Sequence, residues 1–140
     1  NMFFGIEFEW SLKNLLGYLF YPFVLVLGIP LSDVGLISKI IGEKLILTEV
    51  VAYKDLADLL AKNLLSDPRS AVICTYALCG FTHIASMAIF VGGISALAPK
   101  KTSNISKVAI RALIAATLAC LLTACIAGTF LREGSILLGM

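Results

Sequence analysis

Charge is scarce in this sequence. Only 14% of its 140 residues are charged, against roughly 25% in an average soluble domain, while 59% are hydrophobic. A chain this short leaves much of its surface outside any core, and so few charges cannot cover that surface for water. The lipid bilayer is the solvent that fits. A net charge of +2 is too weak and too scattered to suggest a nucleic-acid partner, and none is expected. The single histidine excludes a His-Glu-x-x-His centre and any site built from several imidazoles. Gly-x-Ser-x-Gly and the phosphate-binding glycine loop are also missing. Without paired catalytic groups, neither an enzyme, a metal site nor a bound cofactor is expected. Cys74, Cys79, Cys120 and Cys125 all lie in apolar runs and read as small core residues; five-residue spacings do not suit zinc. Residues 1–10 lack a basic leader and carry Glu7 and Glu9, so no cleavable signal is expected. Low-complexity stretches, repeats and domain linkers are absent, and the chain reads as one domain or part of one.

What is present is hydrophobic length. Residues 71–98 and 112–131 contain no charge, and about 20 apolar residues suffice to cross a bilayer. The short basic connection between them, Pro99-Lys100-Lys101-Thr102-Ser103-Asn104, can only join antiparallel neighbours. With Lys107 and Arg111 nearby it should lie in the cytoplasm, which puts the loop over residues 63–69 and the end after Leu131 outside. In the second run Ala112, Ala116, Cys120, Ala124 and Gly128 recur every four residues. Small residues at that spacing let a neighbouring helix come close. The stretch 15–31 is uncharged but broken by Pro22 and rich in aromatics (Tyr18, Phe20, Tyr21, Phe23), which suits a kinked or interfacial helix.

Residues 33–60 carry too many charges for one lipid-facing helix. They divide into two amphipathic segments, 32–41 and 50–62, separated by Gly42-Glu43-Lys44 and a link to Thr48-Glu49. A re-entrant hairpin and a pair of surface helices both satisfy this pattern, and periodicity alone leaves the two open. Glu49, just before a helical stretch, suits the exposed N–H groups of a helix start either as a capping acid or as an acceptor for a hydroxylated ligand. In the first long run Gly80, Thr75, Thr82, His83 and Ser86 interrupt the apolar sequence near its centre. Hydroxyls there can bond back to their own helix, but an intramembrane histidine is a functional candidate by default.

Several motifs, in this order and spacing, resemble the C-terminal region of the concentrative nucleoside transporters. They are Thr48-Glu49-Val50-Val51-Ala52-Tyr53, Thr75-Tyr76-Ala77-Leu78-Cys79-Gly80-Phe81, Arg111-Ala112-Leu113-Ile114-Ala115 and Thr123-Ala124-Cys125-Ile126-Ala127-Gly128. The resemblance implies an all-α integral membrane fold, part of an inverted-repeat transporter that works as a homotrimer. It implies an interfacial helix over 12–28, a re-entrant hairpin over 32–62 and transmembrane helices over 70–98 and 108–131, the first unwound near Gly80. It implies uptake of nucleosides coupled to sodium or protons in a multi-pass protein of the cell (inner) membrane, with the N-terminal part of the same transporter as partner. Carried over by position, Glu49 accepts from ribose hydroxyls, Phe81 packs beside the nucleobase, and Ser86 contacts ribose together with His83. The family usually has asparagine at position 83, alanine at 82 and phenylalanine at 50. Its first hairpin and sodium site have no counterpart here, so this chain alone is not expected to transport. A membrane-embedded structural subunit without substrate is the alternative.

Overall fold

In the computed structural model of the protein, residues 12–131 are described, and among them are six α-helices, one short 3-10 turn and no strand. The readings of residues 1–10 as lacking a leader and of the end after Leu131 as external lie outside the described residues.

Helix α1 (Leu12–Val26) contains Pro22 and buries Asn14, Gly17, Phe20 and Val24 along one stripe, while Leu12, Leu15, Leu19 and Phe23 stay exposed. Gly28, at φ 76°, takes the left-handed conformation that ends it and turns the chain back. Helix α2 (Leu31–Ile46) then runs against α1, with Gly17 facing Lys39 and Gly42 facing Leu16. A side-chain carbon on Gly42 would stand 2.8 Å from the Leu16 carbonyl carbon. This contact corrects the sequence reading of Gly42-Glu43-Lys44 as a link between short helices: Gly42 is a site of close helix approach, and α2 continues through it. Only Leu47 and Thr48 separate α2 from α3 (Glu49–Ala61). The arms of the hairpin have 16 and 13 residues, so the first is longer than the segment 32–41 read from charge pattern. Asp33, Val34, Ile37, Ser38, Ile40, Ile41, Gly42 and Lys44 form its buried face.

Asn63, at φ 50°, terminates α3 in the left-handed region, with its N–H bonded to Leu60 O and that of Leu64 to Leu59 O. Asp33 gathers the loop that follows: its Oδ1 accepts from Ser66 N (2.9 Å) and its Oδ2 from Asp67 N (3.3 Å). The run expected to be a transmembrane helix over 70–98, unwound near Gly80, is two helices, α4 (Pro68–Leu78) and α5 (Ile84–Leu97), with the break over residues 79–83. At the break the chain lies against the last helix so closely that a side-chain carbon on Gly80 would overlap Cys120 Sγ.

A 3-10 turn (Pro99–Lys101) leads into α6 (Thr102–Phe130), which starts before the boundary of 108 expected from sequence. The turn is tight, closed by Thr102 Oγ1 donating to Pro99 O at 2.9 Å, so Ser103 and Asn104 enter the helix rather than a loop. The small face of α6 divides. Ala124 and Gly128 are buried, with Gly128 against Ile73 of α4, while Ala112 and Ala116 are exposed among the described residues. Ile110, Ile114, Leu118, Leu122, Ile126 and Phe130 make an exposed apolar stripe. The segment Pro99–Phe130 is long and apolar enough to cross a membrane, and α1 and α5 are apolar but shorter.

Candidate functional site

The hairpin tip and the helix break meet. Glu49 is the first residue of α3, and His83 is the N-cap of α5. Each therefore stands where a helix presents unpaired backbone N–H groups and the positive end of its dipole. Glu49 Oε2 lies 2.8 Å from His83 Nε2, and both side chains are largely buried. The oxygen is nevertheless without an aligned hydrogen bond among the described residues, which leaves acceptor capacity on a shielded carboxylate.

The orientation of His83 is set from behind. Ser86 N donates to His83 Nδ1 at 3.1 Å and His83 N donates to Ser86 Oγ at 3.4 Å, a reciprocal capping box. A backbone N–H can only donate, so Nδ1 keeps its lone pair, and the proton of the neutral ring sits on Nε2, the nitrogen near Glu49 but not aligned with its Oε2. Ser86 Oγ also lies 2.6 Å from Phe81 O and 2.8 Å from His83 O, its options for donating its one proton. Its hydroxyl is thus engaged in building the break. Phe81, by contrast, is 71% exposed and projects from it.

The opposite, carbonyl-rich end of the break is closed by the hairpin. Helix α4 stops at Leu78, which strands its last carbonyls. Cys79 N takes Tyr76 O, Tyr53 OH donates to Thr75 O at 3.0 Å, and Lys44 Nζ donates to Ala77 O at 3.1 Å. Lys44 is 3% exposed. Sequence reading missed both side chains, treating Lys44 as part of a polar link. The signal was present: Lys44 stands seven, four and three residues after Ile37, Ile40 and Ile41, on the apolar face of α2.

The four residues singled out by sequence come together at this break, although they do not share a cavity. The large groove between α5 and α6, about 620 Å³, is touched by Phe81 and Ser86 but not by Glu49 or His83, and is otherwise lined mostly by apolar side chains such as Met87, Phe90 and Ile94. Such a trench suits a neighbouring helix or an acyl chain. The polar chemistry lies at Glu49 and His83.

Comparison with known proteins agrees with this architecture. Residues 1–128 match the family described as "Na+ dependent nucleoside transporter C-terminus". Solute carrier family 28 member 3 of Mus musculus is 39% identical over 132 residues, covering 86% of this chain and 19% of that protein. The putative nucleoside permease NupX of Escherichia coli (strain K12) is 41% identical over 128 residues, covering 91% of this chain and 30% of the permease. The solved structure of CNTnw in an inward-facing substrate-bound state superposes with a TM-score of 0.77 at 39% identity, over 86% of this chain and 29% of that one. The chain thus spans about a fifth to a third of the length of these relatives, which are named as transporters and permeases, not enzymes. By the match over residues 1–128, the all-helical structure and the identity to these relatives, the chain belongs to the family of sodium-dependent nucleoside transporters, as their C-terminal region, and is a membrane protein.

Proposed function

We propose that this chain forms the ribose-binding part of an ion-coupled nucleoside transporter. The observation that carries the reading is the buried pairing of Glu49 with His83, at the point where the starts of α3 and α5 converge. Glu49 offers a charged acceptor to vicinal hydroxyls, His83 adds a donor from Nε2, and exposed Phe81 supplies an aromatic face for a nucleobase. Ser86 acts behind them by fixing the His83 ring. The α2–α3 hairpin is re-entrant, and α4 and α5 are two halves of one span whose break lies near the midplane. Inverted-repeat transporters place their substrate at such discontinuous helices. The N-terminal part of the transporter completes the site and holds the coupling ion, sodium or a proton, and the whole works as a homotrimer in the cell (inner) membrane.

The test is uptake of radiolabelled uridine by the intact transporter carrying Glu49→Gln. A hydrogen bond to a charged acceptor is worth about 1.5–3 kcal/mol, so the apparent affinity should fall about 10- to 150-fold while membrane expression holds. Uptake kinetics like those of the unaltered protein would reduce Glu49 to a capping acid.

A further inference from the structure

We propose that Lys44 is a tethered cation, occupying the cation-attracting position that the broken helix creates, and that its charge holds the break in its binding geometry. The starting point is an unusual burial. Among the described residues Lys44 forms no ion pair: Glu43 pairs with Lys13, and Glu49 approaches His83. Lys44 is 3% exposed, and its one hydrogen bond is to the carbonyl of Ala77. Lysine is almost never buried without a partner; the Glu49 carboxylate favours the ammonium from beyond contact distance, and the group in contact with it is a backbone carbonyl.

The end of α4 supplies it. A helix C-terminus carries the negative end of the dipole, concentrated on carbonyls that have no N–H partner. Half-helix C-terminal ends of this kind are where membrane transporters coordinate their cations. Here the position is taken from within: α2 delivers an ammonium to Ala77 O, and α3 delivers the Tyr53 hydroxyl to Thr75 O. Burial works against the charge and the carbonyl dipoles work for it. Lys44 borders a small cavity lined also by Thr82, Thr117, Cys120, Ala77, Phe20 and Ile41.

Two consequences follow for the site. Lys44 and Glu49 lie on either side of the hairpin tip, so one hairpin grips both ends of the break, its cation at the carbonyl end and its carboxylate at the N–H end. Lys44 is thereby a positioning residue for Glu49 and His83. Its side chain also makes this break self-sufficient, needing no diffusible cation of its own. The effect on uptake rests on the function proposed above, whereas the cation site does not.

The experiment compares Lys44→Ala with Lys44→Met in the intact transporter, reading both thermal stability and uridine uptake. Both variants should melt lower and show uptake reduced by about tenfold or more, the loss expected for a hydrogen bond to a charged group. Millimolar methylammonium should raise the melting temperature of Lys44→Ala and restore part of its uptake, because the truncated side chain leaves room for a free cation. It should leave Lys44→Met unmoved, where the thioether chain fills the path, and tetramethylammonium, which has no N–H, should rescue neither. If Lys44→Met melts and transports like the unaltered protein, the charge is dispensable and the proposal is overturned. A damaged Lys44→Ala indifferent to methylammonium overturns it too, leaving a packing role. Should Lys44→Ala fail to reach the membrane, Lys44→Met decides, since it keeps the volume and removes only the charge. If the unaltered protein takes up no nucleoside, the transport reading falls, and methylammonium rescue of the melting temperature still decides the role of Lys44.

Discussion

At the level of single side chains, the Ser86 N–H at Nδ1 of His83 governs what a substitution at position 83 can do. Asparagine offers a carbonyl oxygen in place of Nδ1 and is a favoured N-cap, so His83→Asn should keep both the melting temperature and uptake. His83→Leu leaves the cap empty and should cost about 0.5–2 kcal/mol in stability, read by thermal unfolding of the intact protein. Equal melting of the leucine variant and the unaltered protein would show that the cap is unimportant. Asp33 yields a pH-dependent counterpart. Burial alone would push its carboxyl up, but the Ser66 N–H, the Ser70 and Ser66 side chains and the Asp67 N–H together outweigh it and hold the group below the usual carboxylate range. A folded value below the unfolded one, about 3.9, means the stabilisation is complete above that pH and is lost as pH falls through the folded value. Asp33→Asn should therefore destabilise by about 1.5–3 kcal/mol at neutral pH, with the gap narrowing only below about pH 4. A gap that stays constant into strong acid would contradict this assignment. Glu49 and His83 could be picked out from sequence because each is a polar group in a conspicuous place. Their pairing could not, since it depends on a tertiary contact between residues 34 positions apart in the chain. Lys44 escaped notice because its charge was weighed and its helical face was not.

Among elements, α6 shows what a residue pattern can and cannot fix. Its four-residue repeat of small side chains marks a face for close packing, and that holds where Ala124 is buried and Gly128 meets Ile73 of α4 and Leu27 O in the turn before α2. Toward its start the same repeat lies open beside the α5 groove, since Ala112 and Ala116 line it. Ala124→Leu should therefore destabilise by about 1–3 kcal/mol, the usual cost of overpacking, through contacts inside this chain. Ala116→Leu should do so only where the rest of the transporter enters the groove. Thermal unfolding of the two variants in the intact protein checks this, and an unaffected Ala124→Leu would mean that α4 and α6 are loosely packed. Helix boundaries were less legible than helix faces. Glycine served both as a break, at Gly80, and as a seat for a neighbouring backbone, at Gly42, and sequence alone does not distinguish the two. After the 3-10 turn at Pro99, α6 starts six residues ahead of the boundary of 108 expected from sequence.

Considered as a whole, the molecule exposes large apolar side chains on α1, α5 and α6, a surface that only lipid or further protein can cover. Lys100, Lys101, Lys107 and Arg111 cluster at one end of the long helix, so that end should face the cytoplasm and the 63–67 loop the exterior. Ser66 and Ser103 are both exposed. A membrane-impermeant thiol reagent applied from outside should label Ser66→Cys and spare Ser103→Cys, and the inverse labelling would turn the topology over. Lys13 bears on how such a molecule is made. Its ammonium meets Glu43 of α2 and lies 2.5 Å from Asp55 of α3, so one cation offsets part of the charge of two carboxylates, each costly in hydrocarbon, within a stretch of about 45 residues. Nearby partners find each other quickly, and a nascent chain emerges at about 5–20 residues per second. The cluster can close before α6 is complete. By contrast, the bond from Arg69 to Gly128 O joins residues 59 apart and must wait for the end of α6. Biogenesis then has a built-in order, in which the carboxylates of the hairpin pair with Lys13 of α1 before the last helix arrives to hold them in the bilayer.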